Sequence, residues 1–242
     1  MRSNDKKTNE VQQLKKKNLI YVLDRKDIYI WLVSAILITF SFLISGNDYL
    51  NLATSLIGVT ALIYLSKGEP FGQILSIVFS LGYAFVAYNF KYYGEMITYV
   101  FMTLPSALFA TYIWLKNPLN VGVSQIKIGK MSKGKLLFIF LTAPIVTLIF
   151  FFILRAFKTP NLLISTISIT TSFIASMFTF YRSKYYAVAY AFNDIVLIIL
   201  WVLATIESLS YLPMVLCFLV FLFNDLNAFF SWSKMERKQA LE

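Results

Sequence analysis

Apolar residues occur in eight long runs, and short polar connections separate these runs. A helix needs about 20 predominantly apolar residues to cross the hydrocarbon core of a bilayer, and each run is close to that length. The two-residue alternation of a membrane β-barrel strand is missing. The pattern therefore predicts an all-α integral membrane protein with eight transmembrane helices. The predicted spans are 28–45, 49–65, 71–90, 96–115, 136–154, 161–181, 185–205 and 211–232.

The distribution of charge predicts the orientation of these helices. The chain has 22 lysines and arginines, 12 acidic residues and no histidine, a net charge of +10. Such a balance can indicate nucleic-acid binding, but only 14% of the residues are charged, against about 25% in soluble domains. With the N-terminus inside, nineteen basic residues fall in cytoplasmic segments and three in outside loops. We expect cytoplasmic N- and C-termini and no nucleic-acid partner.

An internal repeat divides the predicted bundle. The matches pair 54–57 with 171–174 and 64–67 with 181–184, both 117 residues apart, and 114–116 with 232–234, 118 residues apart. Spans two to four and six to eight therefore resemble duplicated three-helix units. One helix lies between them, so both units enter the membrane from the same side and are parallel. This predicts a 3+1+3 core of two parallel three-helix repeats, with one N-terminal extra helix.

The predicted divisions of the chain follow from these spans. The segment 11–27 could lie on the membrane surface as an amphipathic helix, or the whole arm could be a solvated tail. The divisions are a cytoplasmic N-terminal arm (1–27), the extra transmembrane helix (28–48), the first repeat (49–116), a basic cytoplasmic loop with the linker helix (117–158), the second repeat (159–233) and a cytoplasmic tail (234–242).

Polar residues inside the last two spans are the candidate substrate site. Asn193, Asn224 and Asn227 carry amides, which donate and accept hydrogen bonds together and suit a neutral polar ligand. Asp194 and Asp225 cost about 2.5–3.5 kcal/mol each at a helix centre, and no predicted span holds a lysine or arginine to pair with them. Such residues usually line a substrate or ion path. The alternatives are hydrogen bonds between helices, or a proton-coupling role for either aspartate.

Aromatic side chains extend this candidate site. Tyr186, Tyr190 and Asn193 are spaced i, i+4, i+7 on one helical face, so two rings lead to a mid-membrane amide. Such rings stack on planar heterocycles, and more strongly on cationic ones. Tyr83 is a further candidate on the third span. Gln73 is a weaker one, because it could simply be hydrated at the membrane surface.

The sequence has no pattern of an enzyme. A Gly-rich phosphate loop, a metal cluster and a Ser/His or Cys/His pair are all missing. The single Cys217 lies in an apolar run and is expected to be an inert packing residue. We expect a protein that is not an enzyme and uses no cofactor or metal.

Several segments resemble the PnuC family of bacterial vitamin transporters, and the resemblance covers most of residues 50–235. The first repeat carries SLIGVTALIYLSKGEPFGQ, YYGE and LPSALFATYIWLKN, and the second ends in FNDLNAFFSWSK. The family's pattern of two tryptophans followed by asparagine falls here on Tyr186, Tyr190 and Asn193. Tyrosine replaces tryptophan, so stacking is kept, but these residues fix neither its strength nor the vitamin.

The resemblance implies a SWEET-like carrier in the bacterial inner membrane. It also implies that the substrate crosses by facilitated diffusion. In this family the substrate is nicotinamide riboside or, in some relatives, thiamine, riboflavin or deoxynucleosides. A cytosolic kinase then traps the substrate, and the resemblance implies no direct binding between this kinase and the carrier. A homo-oligomer such as a trimer is compatible with the architecture. Two other hypotheses stay open: a proton-coupled carrier using Asp194 or Asp225, and a non-transporting membrane scaffold.

Overall fold

The computed structural model describes residues 23–45, 49–120 and 123–241, and within these ranges the chain folds into helices that make eight crossings. All eight are long and apolar enough to span a membrane, which confirms the predicted all-α, eight-span class. Residues 1–22 of the predicted arm lie outside the described residues. The helices are α1 (Arg25–Ser45), α2 (Tyr49–Ser66), α3 (Pro70–Asn89), α4 (Tyr93–Thr98), α5 (Leu104–Leu115), α6 (Lys133–Ala156), α7 (Leu162–Phe180), α8 (Tyr185–Glu207) and α9 (Leu212–Gln239).

The fourth crossing is interrupted. A π-helical segment, Tyr99–Thr103, joins α4 to α5. Pro105 follows directly and has no N–H to donate to the preceding turn, which accounts for the local change of hydrogen bonding. Short π-helical turns occur frequently at functional sites.

The last helix is longer than its apolar run. The sequence predicted an end at Trp232, but α9 continues to Gln239. The side chain of Gln239 accepts a hydrogen bond from the backbone N–H of Ile128 (2.9 Å) and donates one to the carbonyl of Ile126 (3.1 Å). The segment predicted as a tail therefore begins inside α9. The polar end of this helix is held by hydrogen bonds to a loop, which an apolar pattern in the sequence does not reveal.

The two predicted three-helix units meet along two helix pairs. Helix α2 packs against α9, and α5 packs against α7. Helix α1 packs against both α2 and α9, where Lys67 forms ion pairs with Asp27 (2.7 Å) and Asp24 (3.1 Å). Burial lowers the pKa of Lys67, but the hydrogen bonds and charges of these two aspartates outweigh it and raise the pKa above its usual value. Helix α6 contacts mainly α7 and leaves most of its apolar surface exposed, as expected for a helix in contact with lipid.

A loop covers one end of the bundle. The backbone N–H groups of Ile126 and Gly129 donate to the carbonyls of Gly68 and Arg182, each at 3.0 Å. Together with Gln239, these bonds tie the loop to the turn before α3, the turn before α8 and the end of α9. We call residues 117–120 and 123–129 the end loop, and the side of the bundle that they cover the loop end.

Four helices end in the same motif. In each Schellman motif, a residue with positive φ follows the helix, and two backbone N–H groups return to carbonyls of its last turn. One of the four positive-φ residues is glycine, which has no Cβ to strain this conformation. The positive-φ residues are Gly68 (φ 68°), Lys91 (φ 61°), Lys158 (φ 51°) and Arg182 (φ 54°).

Replacing Lys91 by glycine is expected to stabilise the protein by about 1 kcal/mol, because it removes the strain of a side chain at positive φ. Lys116 is the matched control, since it also ends a helix but at φ −82°. Thermal unfolding in detergent should show a higher midpoint for Lys91→Gly only. An equal change in both variants would contradict this explanation.

Two of these motifs lie near the register of the predicted internal repeat. The N–H of Gly68 donates to Leu65 O, and that of Arg182 donates to Thr179 O. The two motifs are 114 residues apart, against the 117 residues of the predicted repeat. The difference is nearly one helical turn. Residues three apart lie on one face of a helix, so an apolar pattern can match in either register.

Candidate functional site

A cavity with polar side chains on a mostly apolar wall lies inside the bundle, between α2, α3, the fourth crossing, α7, α8 and α9. The volume open to water is about 80 Å³, enough for several water molecules. Among the described residues that line it, none is lysine or arginine. The predicted site residues on its wall are Gln73, Tyr190, Asn193 and Asp194, and Asp225 faces it from α9.

Asn193 is fixed at the cavity wall by two hydroxyl groups. Thr171 Oγ1 and Ser172 Oγ each donate to Asn193 Oδ1 at 2.8 Å, and the asparagine is 4% exposed. Two donors on one carbonyl oxygen set the direction of the amide. The predicted mid-membrane amide is therefore held rigidly by α7.

Tyr190 and Tyr186 occupy different places, although they lie on one face of α8. Tyr190 lines the cavity, where the hydroxyl groups of Ser176 and Thr179 lie close to its own. Tyr186 is not among the described lining residues. Its ring packs against Trp232, with centroids 4.6 Å apart, and its buried hydroxyl has no hydrogen-bond partner. The structure thus brings one of the two predicted rings to the cavity.

Asp194 and Asp225 meet at the cavity wall. Their side chains are 3% and 2% exposed, and the two carboxyl groups are near neighbours that interact electrostatically. Each aspartate thus has the other as its neighbour, whereas the sequence offered no basic residue within a span to pair with either.

Gln73 and Tyr83 lie at opposite ends of α3. Gln73 is 3% exposed, so it is buried rather than hydrated at the surface, and its Nε2 has no hydrogen-bond partner. Tyr83 does not appear among the described lining residues. Its hydroxyl accepts a hydrogen bond from Trp201 Nε1 (3.0 Å), and its ring lies 4.1 Å from that of Tyr99.

Asn224 and Asn227 point away from the cavity. Asn224 Nδ2 donates to Ser34 Oγ of α1 (3.2 Å) and to the carbonyl of Val220 (2.8 Å). Asn227 Oδ1 accepts a hydrogen bond from Lys26 Nζ (2.8 Å) at the loop end. Both contacts connect α9 to the start of the described chain, so these two amides have structural partners outside the cavity.

The two ends of the cavity are closed differently. At the loop end, Trp114 Nε1 donates to Thr179 O (3.0 Å) and Trp232 Nε1 to Leu65 O (2.8 Å), so each predicted unit holds the other. The opposite end is filled by an aromatic cluster, in which Trp201 lies 4.9 Å from the ring of Tyr92. Tyr92 itself lies outside the crossings, and burial raises its pKa to about 12.

Several lining residues were not identified from the sequence. They are small or hydroxyl-bearing side chains and phenylalanines, which look like ordinary core residues in so apolar a chain. The one available signal was the repeated Thr-Ser pair, because Ser172 of the second copy binds Asn193. The missed lining residues include Gly58, Ser76, Phe79, Ser172, Phe218 and Phe221.

Eight crossings around an internal cavity with buried amide and carboxyl groups on its wall are typical of a polytopic membrane protein of the transporter class. A sequence profile of the family described as Nicotinamide mononucleotide transporter matches residues 48–234, and the chain belongs to this family of membrane transporters. It is therefore a transport protein and not an enzyme.

Known relatives agree with this assignment. The chain is 18% identical over 203 residues to the nicotinamide riboside transporter PnuC of Neisseria mucosa, covering 82% of this chain and 77% of the relative. It is 22% identical over 212 residues to the protein of the same name from Haemophilus influenzae, covering 86% and 90%. A crystal structure described as the vitamin B3 transporter PnuC superposes with a TM-score of 0.79 at 18% identity, covering 90% of this chain and 94% of that one. This likeness establishes the fold.

Proposed function

We propose that the protein takes up nicotinamide riboside by facilitated diffusion across a bacterial inner membrane. The observation that carries this proposal is the pairing of an aromatic ring and a fixed amide on one wall of the cavity, with two carboxyl groups beside them. The pyridinium ring of nicotinamide riboside is flat and positively charged, so it can stack on Tyr190. Its carboxamide suits Asn193, whose Oδ1 is already held by α7.

The charge of the cavity favours a substrate without phosphate. Two acidic side chains and no described basic one line the wall. A phosphate group there would have two carboxyl neighbours and no cation to offset its charge. The relatives named for nicotinamide riboside are therefore better guides to the substrate than the mononucleotide in the family description.

The cavity must widen during transport. Ligand pockets usually measure about 300–1,000 Å³, and this one is closed at about 80 Å³. We propose that the loop end faces the cytoplasm, in agreement with the asymmetry of basic residues, and that a cytosolic kinase traps the delivered riboside. Exchange between openings at the two ends would then carry the substrate down its gradient.

Uptake into liposomes tests the proposal. The purified protein should accumulate labelled nicotinamide riboside only to the outside concentration, and excess thiamine or riboflavin should compete poorly. Accumulation above that level, abolished by an uncoupler, would instead establish the proton-coupled carrier. The buried, neighbouring carboxyl groups of Asp194 and Asp225 on the cavity wall are the observation that favours this second candidate. No uptake above that of protein-free liposomes would refute both.

Replacing Tyr190 by leucine is expected to weaken binding of nicotinamide riboside about tenfold, because it removes a ring that stacks on the pyridinium. Tyr185 is the matched control, since it lies on the same helix but is 46% exposed. Tryptophan fluorescence titration in detergent can measure both affinities. Equal affinities of the two leucine variants would remove Tyr190 from the site.

A further inference from the structure

Three polar atoms on the cavity wall have no partner in the protein. They are Asp194 Oδ2, Asp225 Oδ1 and Gln73 Nε2. All three residues line the cavity, and each is at most 3% exposed. A buried polar atom without a hydrogen bond costs about 1–3 kcal/mol, so such atoms imply a partner that comes and goes.

The two carboxyl oxygens form a matched pair of acceptors. The carboxyl groups of Asp194 and Asp225 are electrostatic neighbours, and both residues line the cavity. Asp194 Oδ2 and Asp225 Oδ1 are therefore unpaired acceptors on neighbouring residues of the cavity wall. Two neighbouring acceptors of this kind match a ligand with two neighbouring donors.

We propose that Asp194 and Asp225 bind the 2′- and 3′-hydroxyls of the substrate's ribose, and that Gln73 donates to one of the ribose oxygens. The inference rests on the proposed function, because it assigns the sugar of the riboside that the aromatic wall would hold. Acidic side chains bind ribose hydroxyls in this way in dinucleotide-binding proteins. Gln73 Nε2 supports the proposal independently. Its N–H groups need an acceptor, and neither carboxyl group accepts a hydrogen bond from them.

The positions of Tyr190 and Asp194 along α8 agree with a base bound by the tyrosine and a ribose bound by the aspartate. Asp194 lies four residues after Tyr190, so both face one side of the helix about one turn apart. A base stacked on Tyr190 would have its sugar next to the carboxyl pair. Ligands with vicinal hydroxyls are thereby selected over those that lack one of them.

The test compares ribosides with their deoxy forms. Detergent-purified full-length protein, with Asp194→Asn and Asp225→Asn variants, is titrated with nicotinamide riboside, its 2′-deoxy and 3′-deoxy forms, and adenosine with its 2′-deoxy form. We expect the wild-type protein to bind each riboside at least about tenfold more tightly than the deoxy form. In both variants this ratio should fall to within about threefold. Glu95→Gln is the matched control, because Glu95 is also a buried acid of a crossing but is not among the described lining residues, and it should keep the full ratio.

Each outcome decides one of the two proposals. Equal wild-type binding of ribosides and deoxyribosides overturns the ribose assignment, even if neither variant can be purified. An unchanged ratio in both variants overturns it as well, as does tight binding of guanidinium ion with no riboside preference, which indicates a cation site. A preference for adenosine over 2′-deoxyadenosine that is lost in the variants, without binding of nicotinamide riboside, supports the ribose assignment and refutes the proposed substrate.

Discussion

Uptake of nicotinamide riboside is expected to fall about a hundredfold when Asn193 is replaced by leucine. Leucine keeps the branched shape of asparagine but is more bulky and cannot hydrogen-bond the carboxamide of the substrate. A site built to hydrogen-bond a polar group rejects ligands strongly when its own groups are left unpaired. Uptake into liposomes at several substrate concentrations would measure the loss, after size-exclusion chromatography has established that the variant is folded.

Asn224→Leu is the matched control for this prediction. Asn224 is also a buried asparagine of a crossing, but its Nδ2 bonds Ser34 and the carbonyl of Val220 instead of facing the cavity. We expect this variant to keep uptake within about threefold of wild type and to unfold at a lower temperature, because Ser34 loses its partner. Equal losses of uptake in both variants would mean that Asn193 acts through helix packing.

The sequence predicted the eight crossings because hydropathy is a local property. Each span must bury its backbone polar groups within itself, so an apolar run of the right length is sufficient evidence. Helix ends were less certain, since polar residues at an end are held by contacts distant in sequence. Gln239 illustrates this point: it belongs to α9, but its partners are Ile126 and Ile128.

The candidate site was predicted only where one helix sufficed to define it. Tyr190 and Asn193 share a face of α8 and both line the cavity. Tyr186 shares that face too, but seven residues separate it from Asn193, about 10 Å along the axis. At that depth the neighbour is Trp232 rather than the cavity.

Neighbouring polar residues posed a second difficulty. Asn224 and Asp225 are adjacent, so their side chains leave α9 about 100° apart, and only Asp225 lines the cavity. Sequence alone cannot say which one turns inward. The choice depends on α1, whose Ser34 binds Asn224 and so leaves Asp225 to meet Asp194.

The end loop supplies the second large expected effect, because replacing Gly129 by alanine should destabilise the protein by about 1–3 kcal/mol. An added Cβ would clash with the carbonyl oxygen of Tyr181, a backbone atom that cannot rotate away. The loop would have to move, and the bond from the Gly129 N–H to Arg182 O (3.0 Å) would weaken. The midpoint of thermal unfolding in detergent should fall accordingly.

Gly134 provides the control, since nothing lies within 4 Å of its ideal Cβ. It sits in the first turn of α6, where alanine is a better helix former than glycine by about 0.5–1 kcal/mol. Gly134→Ala should therefore unfold at the wild-type temperature or slightly above it. If Gly129→Ala also unfolds at that temperature, the end loop does not contribute to stability through its contact with the turn before α8. A lower midpoint for Gly129→Ala alone would establish the loop as the element that ties this turn to the turn before α3 and to the end of α9.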